Sequence, residues 1–114
     1  MNYRKILEKK LNERKKVLEN FESYLKKIKE VVKSYDKNAK VFLFGSFLDK
    51  KKFSVASDID VLIKIDDLNG LEARGKLLAE IKKAINFAPL FEFHLANKKE
   101  FEWYRRFVKK FREI

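Results

Sequence analysis

The chain of 114 residues has no cysteine, which excludes a disulfide framework and any thiolate-bound metal. It has one proline and three glycines, so long stretches contain nothing that would interrupt regular structure. Glutamine and threonine are missing altogether. No apolar run exceeds about five residues, against the roughly twenty a membrane span requires. The opening Met1–Glu8 has no apolar core of a signal peptide. These absences lead us to expect a soluble, cytoplasmic protein. No arrangement resembles an RRM, a KH motif or a zinc finger.

What is present is charge and aromatic mass. Charged residues make up 39%, net +11, and eleven residues are Phe. With 46% apolar residues the chain can bury one core, and disorder is not expected. The charge level fits a surface laced with ion pairs, as in thermophilic proteins. The positive excess favours polyanionic partners such as nucleotide, RNA or an acidic protein. It is spread evenly, however. Residues 1–35 hold eleven basic and five acidic side chains, and the rest hold seventeen and twelve. A lysine-rich solvated surface is therefore favoured over a dedicated nucleic-acid face.

Two short stretches carry the chemistry. Val41–Phe44 is an apolar run that stops at Gly45-Ser46, which reads as a buried strand entering a turn. A Gly-Ser turn leaves backbone N–H groups and a hydroxyl free for an anion. Further on, Ser57–Ile65 alternates with a period of two. Ile59, Val61, Ile63 and Ile65 share one face; Asp58, Asp60, Leu62 and Lys64 share the other. Two carboxylates roughly 6–7 Å apart on one strand repel by about 2–3 kcal/mol at an effective dielectric near 20. Divalent cations reverse that sign, and Mg²⁺ commonly takes one or two carboxylates together with substrate phosphates. The bland alternative is an ordinary turn and two solvated Asp at a strand end.

Gly45-Ser46 followed by Ser57-Asp58-Ile59-Asp60 resembles the signature of the DNA polymerase β-type nucleotidyltransferase superfamily, in its minimal branch. The resemblance spans about Val41 to Leu95. It implies that Gly45, Ser46 and Ser57 contact the nucleotide. It implies that Asp58 and Asp60 hold two Mg²⁺ ions, with a third carboxylate on a later strand. Glu92 stands at that position in Leu90-Phe91-Glu92-Phe93-His94-Leu95, where many members have Asp. The implied reaction transfers a nucleoside monophosphate from an NTP, ATP being expected, to an acceptor. Many minimal members have Arg-Gly shortly after Gly-Ser; this chain has Leu48-Asp49-Lys50-Lys51-Lys52. Relatives of this kind often pair with a HEPN-type helical protein as toxin and antitoxin, which makes such a partner an expectation. The competing reading is a non-catalytic module of the same fold that binds a protein or RNA. Nucleotidylation of a small molecule is a weaker third reading, because no acceptor domain is evident.

The remaining elements complete an expected α/β (α+β) fold: a small mixed sheet with helices mainly on one face, in a single domain over residues 1–114. Residues 1–35 are expected to form one long helix, with Leu7, Leu11, Leu18, Phe21, Leu25, Ile28, Val32 and Tyr35 at helical spacing broken by Arg14. Its narrow N-terminal half would meet a second copy, giving a homodimer, or a partner. A pair folded back near Asn12 or Asn20 is the alternative. Residues 46–52 read as a short helix, and its Lys50–Lys52 read equally as a triphosphate contact or a solvated face. Residues 71–86 read as a helix in which Gly75 marks close packing. Pro89 starts the third strand. His94, on the face of Glu92, is expected beside the site rather than on the metal, since Mg²⁺ disfavours imidazole. Asn97 and Glu100 form a capping box opening a last helix to about Arg112, with Phe101, Tyr104, Phe107, Val108 and Phe111 buried and Trp103 at the rim.

Overall fold

The computed structural model describes residues 2–114. In chain order it has α1 (Tyr3–Glu19), α2 (Phe21–Tyr35), β1 (Lys40–Phe44), a 3₁₀ turn (Gly45–Leu48), β2 (Ile59–Lys64), α3 (Leu71–Ala84), β3 (Phe91–Ala96), α4 (Lys98–Phe107) and β4 (Arg112–Glu113). The sheet order is β3-β2-β1-β4. β1 runs antiparallel to β2 and to β4, while β2 and β3 are parallel. The expected mixed sheet is present. Among the described residues, no helix is long and apolar enough to cross a membrane.

Period-two alternation divides the strands between two layers. Val41, Leu43, Ile59, Val61 and Ile63 face α2 and α3, which cover them with Leu25, Ile28, Val32, Leu77 and Ile81. The opposite face carries Phe42, Phe44, Leu62 and Ala96, and α4 lays Phe101 and Tyr104 over them. Asp60, Glu92 and His94 belong to this second face by alternation. α4 covers its apolar part and leaves the carboxylates partly open.

The long helix expected over residues 1–35 is instead two helices that break at Asn20. Asn20 has φ −116° and ψ 22°, and its N–H bonds back to the carbonyls of Val17 and Leu18. Its side-chain amide donates to the Lys16 carbonyl at 2.9 Å. Asparagine competes with the helical ladder for backbone partners, so a break forms without Gly or Pro. α2 contributes three buried residues and α1 only Val17. Tyr3, Ile6 and Leu7 on α1 are exposed.

The C-terminal helix is also shorter than expected. It ends at Phe107, and Val108 turns extended at φ −93° and ψ 118°. Phe111 then packs against Phe42, Phe44 and Phe101, with ring centroids 5.6–5.8 Å apart. Ile114 N–H donates to the Val41 carbonyl, closing β4 onto β1. Phe107, expected to be buried, is 66% exposed and lies tilted against Trp103, ring centroids 4.8 Å apart. The helix expected over 46–52 is one 3₁₀ turn followed by a turn in which Asp49 accepts from the Lys51 N–H. Gly75 does not mark close packing: a Cβ there would have nothing within 4 Å. β3 starts at Phe91, two residues after Pro89, and Leu90 takes a left-handed φ of 97° to enter it.

Arg74 ties the two layers together at the C-terminal end of β3. Its guanidinium donates to the carbonyls of Leu95 (3.1 Å) and Leu68 (3.3 Å) and pairs with Glu100. Glu100 accepts from the Asn97 N–H at 3.0 Å, while Asn97 accepts from the Glu100 N–H at 2.9 Å, forming the expected capping box. The Arg74 hydrogen bond, aided by the Asn97 N–H, holds the Glu100 carboxyl below its ordinary value of 4.5. A lowered folded-state value means that the ionised form stabilises the fold above the unfolded value and loses that effect as pH falls through the folded one. Urea unfolding of wild type and Glu100→Gln across pH should therefore show a stability gap that is constant above about pH 5 and closes progressively below 4.5. A gap independent of pH would contradict this contact.

Candidate active site

The site begins where β1 ends. Phe44 lies opposite Asp60 in the β1–β2 register, so the next residue, Gly45, must pass close to the Asp60 side chain. Gly45 has φ +79°, and a Cβ there would overlap Asp60 Oδ2. Both constraints require glycine. Ser46, half-buried, follows in the 3₁₀ turn.

The parallel β2–β3 register places Asp60 opposite Glu92 and Leu62 opposite His94. Asp60, Glu92 and His94 each bring one ligand atom to within 4.8 Å of the others. His94 Nε2 lies 3.1 Å from Asp60 Oδ1 and 3.9 Å from Glu92 Oε1. Its other nitrogen, Nδ1, lies 3.5 Å from the Tyr104 hydroxyl. The ring edge rests on Phe44 at 5.0 Å between centroids. Burial, helped by the Glu100 charge, raises the Tyr104 pKa, so its hydroxyl keeps its proton at neutral pH. Asp60 and His94 are mostly shielded, with side chains 22% and 23% exposed, and Glu92 opens to solvent at 56%.

Asp58 is placed differently. It lies ahead of β2, in the loop, and its Oδ1 accepts from Arg14 Nη2 at 2.9 Å. The same guanidinium donates to the carbonyls of Val55 (2.8 Å) and Ser57 (2.6 Å). Arg14 thus fixes the loop before β2 from α1 and engages one oxygen of Asp58. The Ser57 hydroxyl turns to Ser54, accepting from its N–H at 3.2 Å. Of the residues singled out from the sequence, Gly45, Asp60 and Glu92 come together, Ser46 follows Gly45, and Asp58 and Ser57 sit in the loop that Arg14 holds.

Sequence reasoning passed over Arg14 and Tyr104 as site residues. Arg14 had left a signal, being the one charge that interrupts the apolar spacing of the first helix. Tyr104 had left none, since its spacing is that of a buried stripe.

Beside Gly45 a cavity of about 940 Å³ opens, lined by Phe44–Ser46, Leu48–Lys52 and Phe107–Lys110. Five lysines and one aspartate line it, so its potential is positive. A polyanion fits it, and the carboxylate group lies across Gly45.

Two comparisons with known proteins match most of this chain. Residues 25–114 match the family model described as a nucleotidyltransferase domain. A solved structure, named as that of a "putative nucleotidyltransferase", is 34% identical and superposes with a TM-score of 0.66 over 79% of this chain and 96% of its own. No curated protein matches.

The contact between Gly45 and Asp60 can be tested by a double-mutant cycle. Gly45→Ala is expected to destabilise by more than the roughly 1–2 kcal/mol of the left-handed backbone alone. In an Asp60→Ala background that penalty should fall toward the backbone value. Equal penalties in both backgrounds, measured by urea unfolding, would show that the close approach is not felt.

Proposed function

The chain belongs to the nucleotidyltransferase domain family, and from that premise we propose that it transfers a nucleoside monophosphate from ATP to an acceptor hydroxyl. One observation carries the reading. Asp60 and Glu92 stand side by side on parallel strands, across Gly45 from a lysine-lined cavity. The donor chemistry suits divalent cations, since carboxylate oxygens are the ligands Mg²⁺ takes. The missing Cβ at Gly45 supports this, because it keeps Asp60 Oδ2 uncovered by side-chain atoms on that side. Asp60 and Glu92 would hold the ions, joined by the Asp58 oxygen that Arg14 leaves free. Bound ions would neutralise phosphate charge and raise the acidity of the acceptor hydroxyl.

The remaining work falls to the chain itself. Gly45 and Ser46 would receive the β- and γ-phosphates on backbone N–H groups and the Ser46 hydroxyl. Lys50–Lys52, with Lys109 and Lys110 across the cavity, would offset the charge of the triphosphate. Glu92, the most exposed of the three clustered side chains, would accept the proton of the acceptor hydroxyl. The hydroxyl oxygen then bonds to the α-phosphorus. The bond from that phosphorus to the bridging oxygen breaks, and pyrophosphate leaves. Exposed Tyr3, Ile6 and Leu7 on α1 support a protein as acceptor or partner, of which a HEPN-type helical protein is one. The pairing of Asp58 with Arg14 favours a second reading, a nucleotide-binding module that does not transfer.

Calorimetric titration of ATP with and without Mg²⁺ tests the site. Wild type is expected to bind ATP at least about tenfold more tightly with the cation, and Asp60→Asn to lose that gain. A folded wild type that binds no ATP would overturn both readings. Cation-dependent binding that Asp58→Asn leaves untouched would favour the second.

A further inference from the structure

We propose that Asp60, Glu92 and His94 together form a metal site that selects a divalent transition ion of the Mn²⁺ class over Mg²⁺, with His94 as a ligand. The inference rests on the reading that Asp60 and Glu92 hold a divalent cation, and it settles which cation their neighbour selects.

Two carboxylates alone suit Mg²⁺, a hard ion that prefers oxygen and keeps much of its water. An imidazole nitrogen in the same set adds little for Mg²⁺, adds a modest gain for Mn²⁺, and binds Fe²⁺, Co²⁺ or Zn²⁺ more strongly. Mn²⁺ also accepts carboxylate and phosphate oxygens, which makes it the ion that this mixed site and a polyphosphate share. His94 is the only histidine in the chain.

Geometry supports coordination over a bystander role. Ligands about 2.1 Å from one ion lie roughly 3.0 Å apart at right angles and about 3.4 Å apart in a tetrahedron. His94 Nε2 already stands 3.1 Å from Asp60 Oδ1 and 3.9 Å from Glu92 Oε1. The three donors converge from one sheet face, two strands contributing them in register, so small side-chain rotations complete one side of a coordination sphere. The rest stays open on the side of Glu92, where water or phosphate oxygen can enter.

The surroundings of the ring also match. A metal-bound imidazole usually donates its second N–H to a neighbouring oxygen, which fixes ring orientation. Tyr104 Oη stands 3.5 Å from Nδ1, and Phe44 braces the ring edge. Without the ion, the tautomer with its proton on Nε2 donates to Asp60 Oδ1 and leaves Nδ1 to accept from the Tyr104 hydroxyl. With the ion, the ring proton sits on Nδ1 and donates to Tyr104 Oη, while the Nε2 lone pair binds the metal. Lys64 lies two residues beyond Leu62 on the same face, but its ammonium pairs with Asp66 and covers Phe101, away from the three donors.

The test is electron paramagnetic resonance on the full chain. Mn²⁺ titrated into wild type should lose its free-ion signal at a stoichiometric site, and Mg²⁺ should displace it only at an excess of about tenfold or more. Pulsed spectra of the bound Mn²⁺ should carry an imidazole-nitrogen modulation, which in this chain has a single source. His94→Gln, checked for folding by circular dichroism, should lose the modulation and bring Mn²⁺ and Mg²⁺ to comparable affinity. Tyr104→Phe should keep the modulation and weaken Mn²⁺ by less than His94→Gln does. Absence of the modulation in wild type, or Mg²⁺ displacing Mn²⁺ at equal concentration, overturns the inference while leaving the carboxylate site standing. Failure of wild type to bind either ion removes the carboxylate site, and with it the proposed transfer.

Discussion

Two carboxylates on neighbouring parallel strands are the constraint on which the rest of this structure depends. Strands lie roughly 4.7–4.9 Å apart, and like charges at that separation repel by about 3.5 kcal/mol at an effective dielectric near 20. Asp60 and Glu92 are held in this arrangement by the β2–β3 register. The sheet cannot relieve the repulsion by slipping one residue, because Ile59, Val61 and Ile63 would then leave the core for the opposite face. What relief the chain offers is local. His94 Nε2 lies 3.1 Å from one Asp60 oxygen, Gly45 makes room for the other, and Glu92 reaches solvent.

Other elements serve that arrangement. α2 and α3 bury one face of the sheet and fix its register. α4 covers the apolar part of the second face and brings Tyr104 to His94. The Arg74–Glu100 pair and the capping box anchor the start of α4, which sets where Tyr104 falls two turns later or less. β4 and Phe111 close the far edge and carry Lys109 and Lys110 to the cavity wall opposite Lys50–Lys52. Arg14 extends the same logic into α1, gripping the loop that carries Ser57 and Asp58. The break at Asn20 separates a helix that belongs to the core from one that touches it mainly at its last turn and at Arg14.

Much of this was legible in the sequence, for identifiable reasons. Strands β1, β2 and β3 declare themselves by period-two alternation beside turn residues, and that alternation alone puts Asp60, Glu92 and His94 on the faces turned away from the main core. The start of α4 is written in Asn97 and Glu100, whose mutual hydrogen bonds are local. What stayed hidden depends on pairing between distant segments. Nothing local brings Arg14 to Asp58 or His94 to Asp60, since those distances follow from how the strands and helices assemble. The end of α4 was hidden for a different reason. Phe107, Val108 and Phe111 satisfy helical spacing and extended packing equally well, and the pairing of Arg112 with Leu43 decides between them. At Asn20 the apolar stripe continues unbroken, so the bend comes from backbone competition that periodicity cannot register.

The central claim is that this site moves a nucleotidyl group. It is tested most directly by following two labels of ATP, one on the α-phosphorus and one on the γ-phosphorus, into macromolecules of a cell extract supplied with wild type or with Asp60→Asn. Transfer predicts α-label bound stably to an acceptor, γ-label released as pyrophosphate, and neither event with Asp60→Asn. Incorporation of γ-label, or no incorporation with any divalent ion by a protein shown to bind ATP, would contradict it.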